Sequence, residues 1–320
     1  MTAEPADITD TAGKAGPAET PPPLVGLCGL GNMGSALASR LCLEFEVLGF
    51  DLDPAKRAAC AELPQVRACE QLAELAAAPA VVLCLPSPDA SLAVVSELAP
   101  LMRPGSVIIE ASTVNPEHVR AQQAVAAPHG VGLVDAAIAA GVGQARAGTA
   151  LLLTGGSAAD IETARPVLAA MSGEFIHLGE LGQGAALKVI NNAVAHAVMV
   201  VLVEAAALAE AAGVDRSQLI GLLQGDGAGL TRPLEHRLIE RIAHGDYEGG
   251  MPTEAARKDS TLALALAQSC RVPVFALQAT HSVYEMATVE GYGRLDYAAI
   301  AKLWEQWLGT SLTTKSEDGA

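Results

Sequence analysis

A glycine-rich segment at residues 29–34 has the spacing of a phosphate-binding turn. It follows the short apolar run LVGLC and precedes apolar residues at helical spacing, so we expect it to join a strand to a helix. In such a turn, glycines permit a tight bend and let the backbone approach a pyrophosphate, which the N–H groups of the helix bind. We assign to a dinucleotide site the residues Gly29, Leu30, Gly31, Asn32, Met33 and Gly34.

An acidic residue ends the next predicted strand, EVLGFD, 22 residues after the first glycine. The carboxylate of Asp51 can accept hydrogen bonds from both hydroxyls of an adenosine ribose, and it would repel a 2′-phosphate. The sequence therefore predicts NAD in preference to NADP. We also assign to the cofactor site Leu85 and Pro86, at the end of the predicted strand AVVLCLP. The alternative is a glycine turn beside a surface aspartate.

A lysine and an asparagine four residues apart share one face of a long predicted helix. Lys188 stands among Ala, Leu, Val and Ile, so its amine either reaches water or is partly buried with a lowered pKa. In the second case Lys188 can act as a general acid or base near neutral pH. Asn192 could then hold the substrate or the lysine in place. The residue pattern alone leaves both alternatives open.

The elements that must position these residues alternate between strands and helices as far as EFIHLGE. This alternation predicts an α/β Rossmann domain with a doubly wound, mainly parallel sheet over residues 23–182. A helical pattern from Gly184 to Gly213, without proline or internal glycine, predicts a long inter-domain helix. An all-α domain is expected over residues 183–310. Residues 1–22 and 311–320 are predicted to be disordered tails.

Composition and charge favour some classes of protein over others. The formal net charge of −16 argues against nucleic-acid binding, which needs concentrated Lys and Arg. The six cysteines show no CxxC spacing and the seven histidines no metal-ligand spacing, so we expect reduced thiols, no metal and a cytoplasmic location. We expect no apolar run of bilayer length, no signal peptide and no membrane partner.

Four motifs, taken in order, resemble the β-hydroxyacid dehydrogenase family of 3-hydroxyisobutyrate dehydrogenase-like enzymes over residues 24–308. They are the glycine loop, the segment DAAIAAG followed by ARAGT, the glycine-rich start of the long helix, and Lys258-Asp259. The resemblance implies an NAD-dependent oxidoreductase that transfers a hydride between NAD(H) and a small 3-hydroxy acid or its semialdehyde. It also implies a 6-phosphogluconate dehydrogenase-like C-terminal domain and a homodimer or homotetramer. Trp304 and Trp307, three residues apart, would suit an interface or a core.

The same resemblance implies roles for individual residues. Lys188 would be the catalytic acid/base, and Asn192 would orient the substrate. Thr113 would lie near the nicotinamide and the substrate, and Lys258 would close over the cofactor. The alternatives are that Thr113 caps a helix and that Lys258 is a surface ion-pair partner.

Two departures from the family pattern fall at the expected substrate pocket. This chain has Ala139-Ala140-Gly141 where the family has Ser-Gly-Gly, and Met251 where a phenylalanine is common. The missing hydroxyl would normally grip a substrate carboxylate, so the pocket would take a less usual acid or use other donors, with Arg232 as one candidate. The substrate set is Thr113, Ala139, Ala140, Gly141, Lys188, Asn192 and Met251.

Two other functions compete with this one. An imine reductase shares the two-domain architecture and the cofactor loop, and the apolar pair Ala139-Ala140 suits it. Such enzymes commonly carry Asp or Tyr at the position of Lys188, however, and they prefer NADPH. A cofactor-binding scaffold without catalysis would explain the lost serine but not the presence of Lys188 and Asn192. The sequence therefore favours the dehydrogenase.

Overall fold

The computed structural model describes residues 22–225 and 229–314. Most of the two predicted tails, residues 1–21 and 315–320, lies outside the described residues, and so do residues 226–228. The chain divides into two compact units, the first ending at Asn192 and the second beginning at Ala193.

Eight strands form one sheet in the first unit. They are β1 Leu24–Cys28, β2 Glu46–Phe50, β3 Val66–Ala68, β4 Ala80–Leu83, β5 Val107–Glu110, β6 Gly132–Ala139, β7 Leu151–Gly155 and β8 Glu174–His177. Their order across the sheet is β3-β2-β1-β4-β5-β6-β7-β8. Neighbouring strands from β3 to β6 pair in parallel, whereas β7 runs antiparallel to β6 and parallel to β8. The predicted Rossmann-type fold with a mainly parallel sheet is confirmed.

Helices connect most of these strands. They are α1 Asn32–Leu41, α2 Pro54–Cys60, α3 Pro88–Leu98, α4 Pro116–Ala126, α5 Val142–Ala147 and α6 Ala158–Met171, with 3-10 turns at Leu72–Ala77 and Ala127–His129. Short polar side chains begin several of them: Asp53 accepts the Ala55 N–H at 2.9 Å, and Ser157 accepts the Asp160 N–H at 3.1 Å. Such caps satisfy backbone donors that a helix leaves unpaired at its N-terminus.

Both faces of the sheet are buried, which explains the uninterrupted apolar runs of its strands. Successive side chains point to opposite faces, so Ile108 and Ile109 enter different cores. One core joins Ile109 and its neighbours to buried residues of α1 and α6, and the other joins Ile108 to buried residues of α3 and α4. The carboxyl ends of β1, β2, β4, β5 and β6 therefore lie along one edge of a rigid support.

The second unit is built from helices. α7 Gln183–Ala211 begins in the first unit and continues into the second, where it is followed by α8 Arg216–Leu223, α9 Thr253–Cys270, α10 Ala276–Val289 and α11 Ala301–Leu308. A π-helix at Pro233–Ile239 and 3-10 turns at Ile242–His244 and Tyr297–Ile300 complete the unit. Its cluster of buried hydrophobic residues is small and consists of Tyr247, Ala298, Ala299 and Ala301.

Two buried carboxylates organise this helical unit. Glu204, on α7, accepts the N–H groups of Phe275, Ala276 and Leu277 at 2.6–3.1 Å and so caps α10. Asp296 is fully buried and lies 2.9 Å from the Nε atom of Arg237. Hydrogen bonds to Glu204 and the ion pair of Asp296 therefore connect segments of the second unit in which the buried apolar cluster is small.

The long helix α7 also corrects one expectation from the sequence. By length and composition it is apolar enough to cross a membrane, so the expectation that no apolar stretch reaches bilayer length was wrong. Single polar residues such as His196 interrupt the run but leave its average strongly apolar. Only 11% of its 18-residue apolar window is buried. Exposed side chains on α7 include Val194, Met199, Val200 and Val203.

Candidate active site in the first unit

The glycine loop lies between the end of β1 and the start of α1. Gly29 has φ +95°, and a Cβ there would meet the carbonyl oxygen of Cys84. A Cβ on Gly34 would meet the carbonyl oxygen of Gly29, whereas no atom of the described chain lies within 4 Å of the Cβ position of Gly31. Gly31 is the N-cap of α1 and brings no capping side chain. The loop therefore leaves room for a pyrophosphate at a helix N-terminus, and its residues fit a bound dinucleotide.

Asp51 directly follows β2 and holds this loop in place. Its Oδ2 atom accepts the Leu30 N–H at 2.8 Å, and its Oδ1 atom accepts the Asp53 N–H at 2.9 Å. The Nζ atom of Lys56 is 3.7 Å from Oδ2, and the Asp51 side chain is 13% exposed. An ionised carboxylate offers about four acceptor positions, so Asp51 retains capacity for ribose hydroxyls. Its bond to the glycine loop was not predicted from the sequence.

A cavity of about 490 Å³ adjoins the glycine loop. Two cations, Lys56 and Arg146, contribute to its wall, together with the hydroxyl-bearing Ser35 and Ser39. The other lining residues are Leu30, Gly31, Asn32, Ala59, Cys60 and Leu63. No carboxylate belongs to this lining, so its two charged groups are both cations, of which Lys56 is also paired with Asp51.

A buried hydrogen-bond network connects the ends of β4 and β5. The Leu85 N–H donates to Ser112 Oγ at 2.8 Å, and the Ser112 N–H donates to Glu110 Oε1 at 2.8 Å. Gln122 on α4 donates to the other oxygen of Glu110, also at 2.8 Å. Glu110 is 1% exposed. This carboxylate thus fixes the loops that carry Leu85, Pro86 and Thr113, a role that the sequence analysis did not anticipate.

Thr113 lies in an exposed position directly after this network. The N-cap residue of α4 is Asn115, whose N–H donates to His118 Nδ1 at 3.2 Å. Thr113 is therefore not the capping residue of α4, and its proximity to nicotinamide and substrate stays a prediction. Its position beyond the carboxyl end of β5 is compatible with that role.

The substrate segment lies at the end of β6. Because Asp135 pairs with the last residue of β5, β6 continues four residues farther, to Ala139. Ala139 and Ala140 are half-buried and Gly141 is exposed. The Gly141 N–H donates to Gln144 Oε1 at 3.1 Å, so this donor is already engaged. A substrate carboxylate would have to displace Gln144 before the Gly141 N–H could replace the missing serine hydroxyl.

Lys188 and Asn192 are half-buried on the part of α7 that belongs to the first unit. Lys188 makes no hydrogen bond or ion pair with any residue in 22–225 or 229–314. Burial lowers the pKa of the Lys188 amine below its ordinary value. Of the two alternatives left open by the sequence, the structure thus shows the partly buried lysine. An unpaired amine with a lowered pKa can exchange a proton with a bound ligand.

Three further predicted residues belong to the second unit. Lys258 is 66% exposed and lies 2.9 Å from Asp259, so the ion pair considered as its alternative is present. Met251 is half-buried, and its N–H donates to Asp296 at 3.1 Å. Arg232 is exposed. Their contacts with cofactor or substrate stay predictions.

Metal ligands and cysteine thiols are the other kinds of reactive group considered from the sequence. In the part of the chain that the structure describes, no three His, Cys, Asp or Glu side chains are grouped as metal ligands. All six cysteines are free. Burial raises the pKa of Cys28 and of Cys84 to about 12, which keeps these thiols protonated and unreactive at neutral pH.

Comparison with known proteins agrees with this geometry. Residues 24–179 match the model of the NAD binding domain of 6-phosphogluconate dehydrogenase, and residues 182–304 match that of the NAD-binding domain of NADP-dependent 3-hydroxyisobutyrate dehydrogenase. The 2-(hydroxymethyl)glutarate dehydrogenase of Eubacterium barkeri is 31% identical over 90% of this chain and 97% of its own length.

Two solved structures share the fold. Mycobacterium tuberculosis 3-hydroxyisobutyrate dehydrogenase with L-serine has a TM-score of 0.62 and 27% identity, covering 88% of this chain and 99% of its own. An imine reductase variant from Myxococcus stipitatus with NAD⁺ has a TM-score of 0.79 at 22% identity, covering 89% and 100%, and this likeness shows the fold alone. The motifs, the site and the extended match to the Eubacterium protein together establish that the chain belongs to the β-hydroxyacid dehydrogenase family.

Proposed function

We propose that this protein oxidises a small 3-hydroxy acid to its semialdehyde with NAD, and catalyses the reverse reduction with NADH. The observation that carries the proposal is the half-buried amine of Lys188, which has no partner among the described residues and belongs to the same unit as the glycine loop. The similar Eubacterium protein acts, by its name, on 2-(hydroxymethyl)glutarate, and the similar Mycobacterium enzyme was solved with L-serine. Both compounds carry a primary hydroxyl on the carbon β to a carboxylate.

The bound nicotinamide would accept the hydride in oxidation and supply it in reduction. In oxidation, the neutral Nζ atom of Lys188 takes the hydroxyl proton as the carbonyl forms. In reduction, the ammonium form of Lys188 donates that proton, and its positive charge stabilises the nascent alkoxide. The amide of Asn192, one helical turn farther along the same face of α7, orients the substrate.

The residues of the Rossmann unit would hold the cofactor. Backbone N–H groups at the start of α1 bind the pyrophosphate, and Asp51 accepts hydrogen bonds from the adenosine ribose. Leu85, Pro86 and Thr113 border the nicotinamide. The charge of Asp51 supports NAD as the preferred cofactor, although Lys56 lies only 3.7 Å from that carboxylate and neutralises part of its charge. We therefore expect a preference for NAD rather than exclusion of NADP.

We further propose that the protein is a cytoplasmic homodimer or homotetramer that covers apolar surface of the second unit with another copy of this chain. Large apolar side chains are exposed there on α7, α9 and α11, among them Val200, Leu262 and the edge-to-face pair Trp304 and Trp307. A folded monomer seldom leaves so many apolar side chains in water.

The test is a substrate panel with purified protein. NAD and NADP are each combined with 2-(hydroxymethyl)glutarate, 3-hydroxyisobutyrate and L-serine, and NADH and NADPH with a semialdehyde and with 1-pyrroline as a cyclic imine. We expect turnover of at least one hydroxy acid, faster with NAD, and none of the imine. Turnover of the imine with NADPH alone would support the reductase instead. Cofactor binding without turnover of any compound in the panel would contradict the proposed function.

A further inference from the structure

We propose that Asp135 is the positioning residue for Lys188, because it fastens the first turn of α7 to the end of the sheet that carries the substrate segment. This inference rests on the proposed function. It concerns only the first unit, which contains β6, the substrate segment and the turn of α7 that carries Lys188.

Asp135 is a carboxylate in the middle of a buried strand. It lies on β6 and is 1% exposed. Burying a charge is unfavourable unless hydrogen bonds replace the lost water. A carboxylate retained in an otherwise apolar strand therefore needs strong partners.

Those partners come from the beginning of α7. Asp135 Oδ1 accepts the Gly182 N–H at 2.7 Å, and Oδ2 accepts the Ala185 N–H at 2.7 Å. Burial raises the pKa of Asp135, and the hydrogen bonds from these N–H groups oppose that shift. The carboxylate thus satisfies donors that α7 cannot pair internally, and its charge faces the positive end of the helix dipole.

Two glycines make this close approach possible. A Cβ on Gly184 would lie 2.7 Å from Asp135 Oδ2 and would also meet the carbonyl oxygen of Leu153 on β7. A Cβ on Gly155 would lie 2.7 Å from Asp135 Oδ1. The start of α7 is therefore packed against the backbone of β7 as well as hydrogen-bonded to Asp135. This arrangement restricts movement of α7 relative to the sheet.

Asp135 lies close in the chain to the substrate segment and bonds to residues close to Lys188. Lys188 comes three residues after Ala185, within the first two turns of α7, and the substrate segment begins at Ala139, four residues after Asp135 on the same strand. One carboxylate therefore connects the element that carries the amine to the element that carries the substrate segment. Small misplacements of a catalytic group cost on the order of 100-fold in rate.

The first test is independent of any substrate. In Asp135→Asn, the side-chain NH₂ faces one of the two backbone donors, so only one hydrogen bond can persist. We expect hydrogen–deuterium exchange of the amides from Gly182 to Asn192 to accelerate at least 10-fold. The variant should still bind the cofactor. Acceleration confined to Gly182 and Ala185 would overturn the proposal, because the lysine-bearing turn would then be held by other contacts.

Ser157→Ala is the matched control for this measurement. It removes the N-cap of α6, a helix of the same unit that carries no predicted site residue. We expect faster exchange at the start of α6 and unchanged exchange around Lys188. Gly184→Ala should reproduce the effect of Asp135→Asn, whereas Gly221→Ala should not, because a Cβ on Gly221 would meet no described atom within 4 Å outside its chain neighbours and the adjacent backbone of its own helix.

The second test is a double-mutant cycle on single-turnover hydride transfer, with NAD and 2-(hydroxymethyl)glutarate or 3-hydroxyisobutyrate. We expect Asp135→Asn to lower the rate about 30-fold with the Kd for NADH unchanged, and to have less than a 3-fold effect in Lys188→Ala. Equal effects in both backgrounds would overturn the positioning role while leaving the proposed function intact. Full activity of Lys188→Ala alone would instead contradict the proposed mechanism, and the exchange measurement would still decide the role of Asp135.

Discussion

The two units of this chain achieve order in different ways. In the first, strands buried on both faces support a site whose loops are held by the buried or nearly buried carboxylates Asp51, Glu110 and Asp135. In the second, the buried apolar cluster is small, and large apolar side chains face solvent on several helices. The cofactor-binding unit thus contains a large core of its own, whereas the helical unit exposes the apolar side chains that the proposed assembly would cover.

The largest effect on activity is expected from replacement of Lys188 in the first unit. Lys188→Ala should lower kcat for oxidation of the hydroxy acid about 10³-fold, since a positioned acid or base contributes roughly 10²–10⁴ in rate. Fluorescence titration should show unchanged NADH binding. Lys188→Arg is the control that keeps the charge but cannot deprotonate near neutral pH. Activity of the arginine variant equal to that of the natural chain would contradict the general base.

The same lysine predicts opposite pH profiles for the two directions. Its pKa is lowered by burial, so the transition should lie below the usual range for lysine. Oxidation requires the neutral amine, and its rate should rise as the pH increases through that pKa. Reduction requires the ammonium, and its rate should fall over the same interval. Profiles of equal sign in both directions would exclude a single titrating acid/base.

Truncation of an apolar side chain should affect the stability of the two units differently. Ile109 is fully buried in the sheet, and Ile109→Ala should lower the free energy of unfolding by about 2–5 kcal/mol. Leu262 on α9 is 60% exposed, and Leu262→Ala should change the stability of a dilute monomer by less than about 0.5 kcal/mol. Urea unfolding at several protein concentrations measures both. A large loss for Leu262→Ala that does not depend on concentration would mean that the second unit has a core of its own.

A charged substitution on α7 tests which partner covers the exposed apolar side chains of this helix. Val200 is 48% exposed on α7, and Val200→Asp should weaken self-association on the order of 100-fold, because a charge buried at an interface is costly. Sedimentation velocity should show dissociation of this variant and not of Leu43→Asp, which alters an exposed leucine of the first unit. A natural chain that is monomeric in buffer but floats with lipid vesicles would support a membrane partner instead.

The smallest effect concerns the choice of cofactor. Asp51→Asn keeps an acceptor for the Leu30 N–H and removes the charge, so the ratio of the Kd for NADPH to the Kd for NADH should fall on the order of 10-fold. Asp53→Asn, two residues farther, is the control, because asparagine is an equally good helix cap. An unchanged ratio in Asp51→Asn would mean that this residue only secures the glycine loop.

The sequence was sufficient for features that depend on local spacing. The spacing of the glycines at positions 29, 31 and 34 predicted the turn. Strand and helix periods predicted the alternating elements and placed Lys188 and Asn192 on one helical face. β3 and α5 were not predicted, because three and six residues are too few to show a period. The apolar length of α7 was not predicted either, because polar residues such as His196 interrupt its apolar runs.

Only the tertiary structure decided how distant residues act together. The antiparallel direction of β7, the bond from Leu30 to Asp51 and the attachment of α7 to Asp135 join residues about 12 to 50 positions apart, which no local period encodes. The burial that lowers the pKa of Lys188 likewise depends on what packs around the helix rather than on its own sequence. Local chemistry thus specified which groups are available, and long-range packing determined where they are held and in which direction burial shifts the pKa of Lys188.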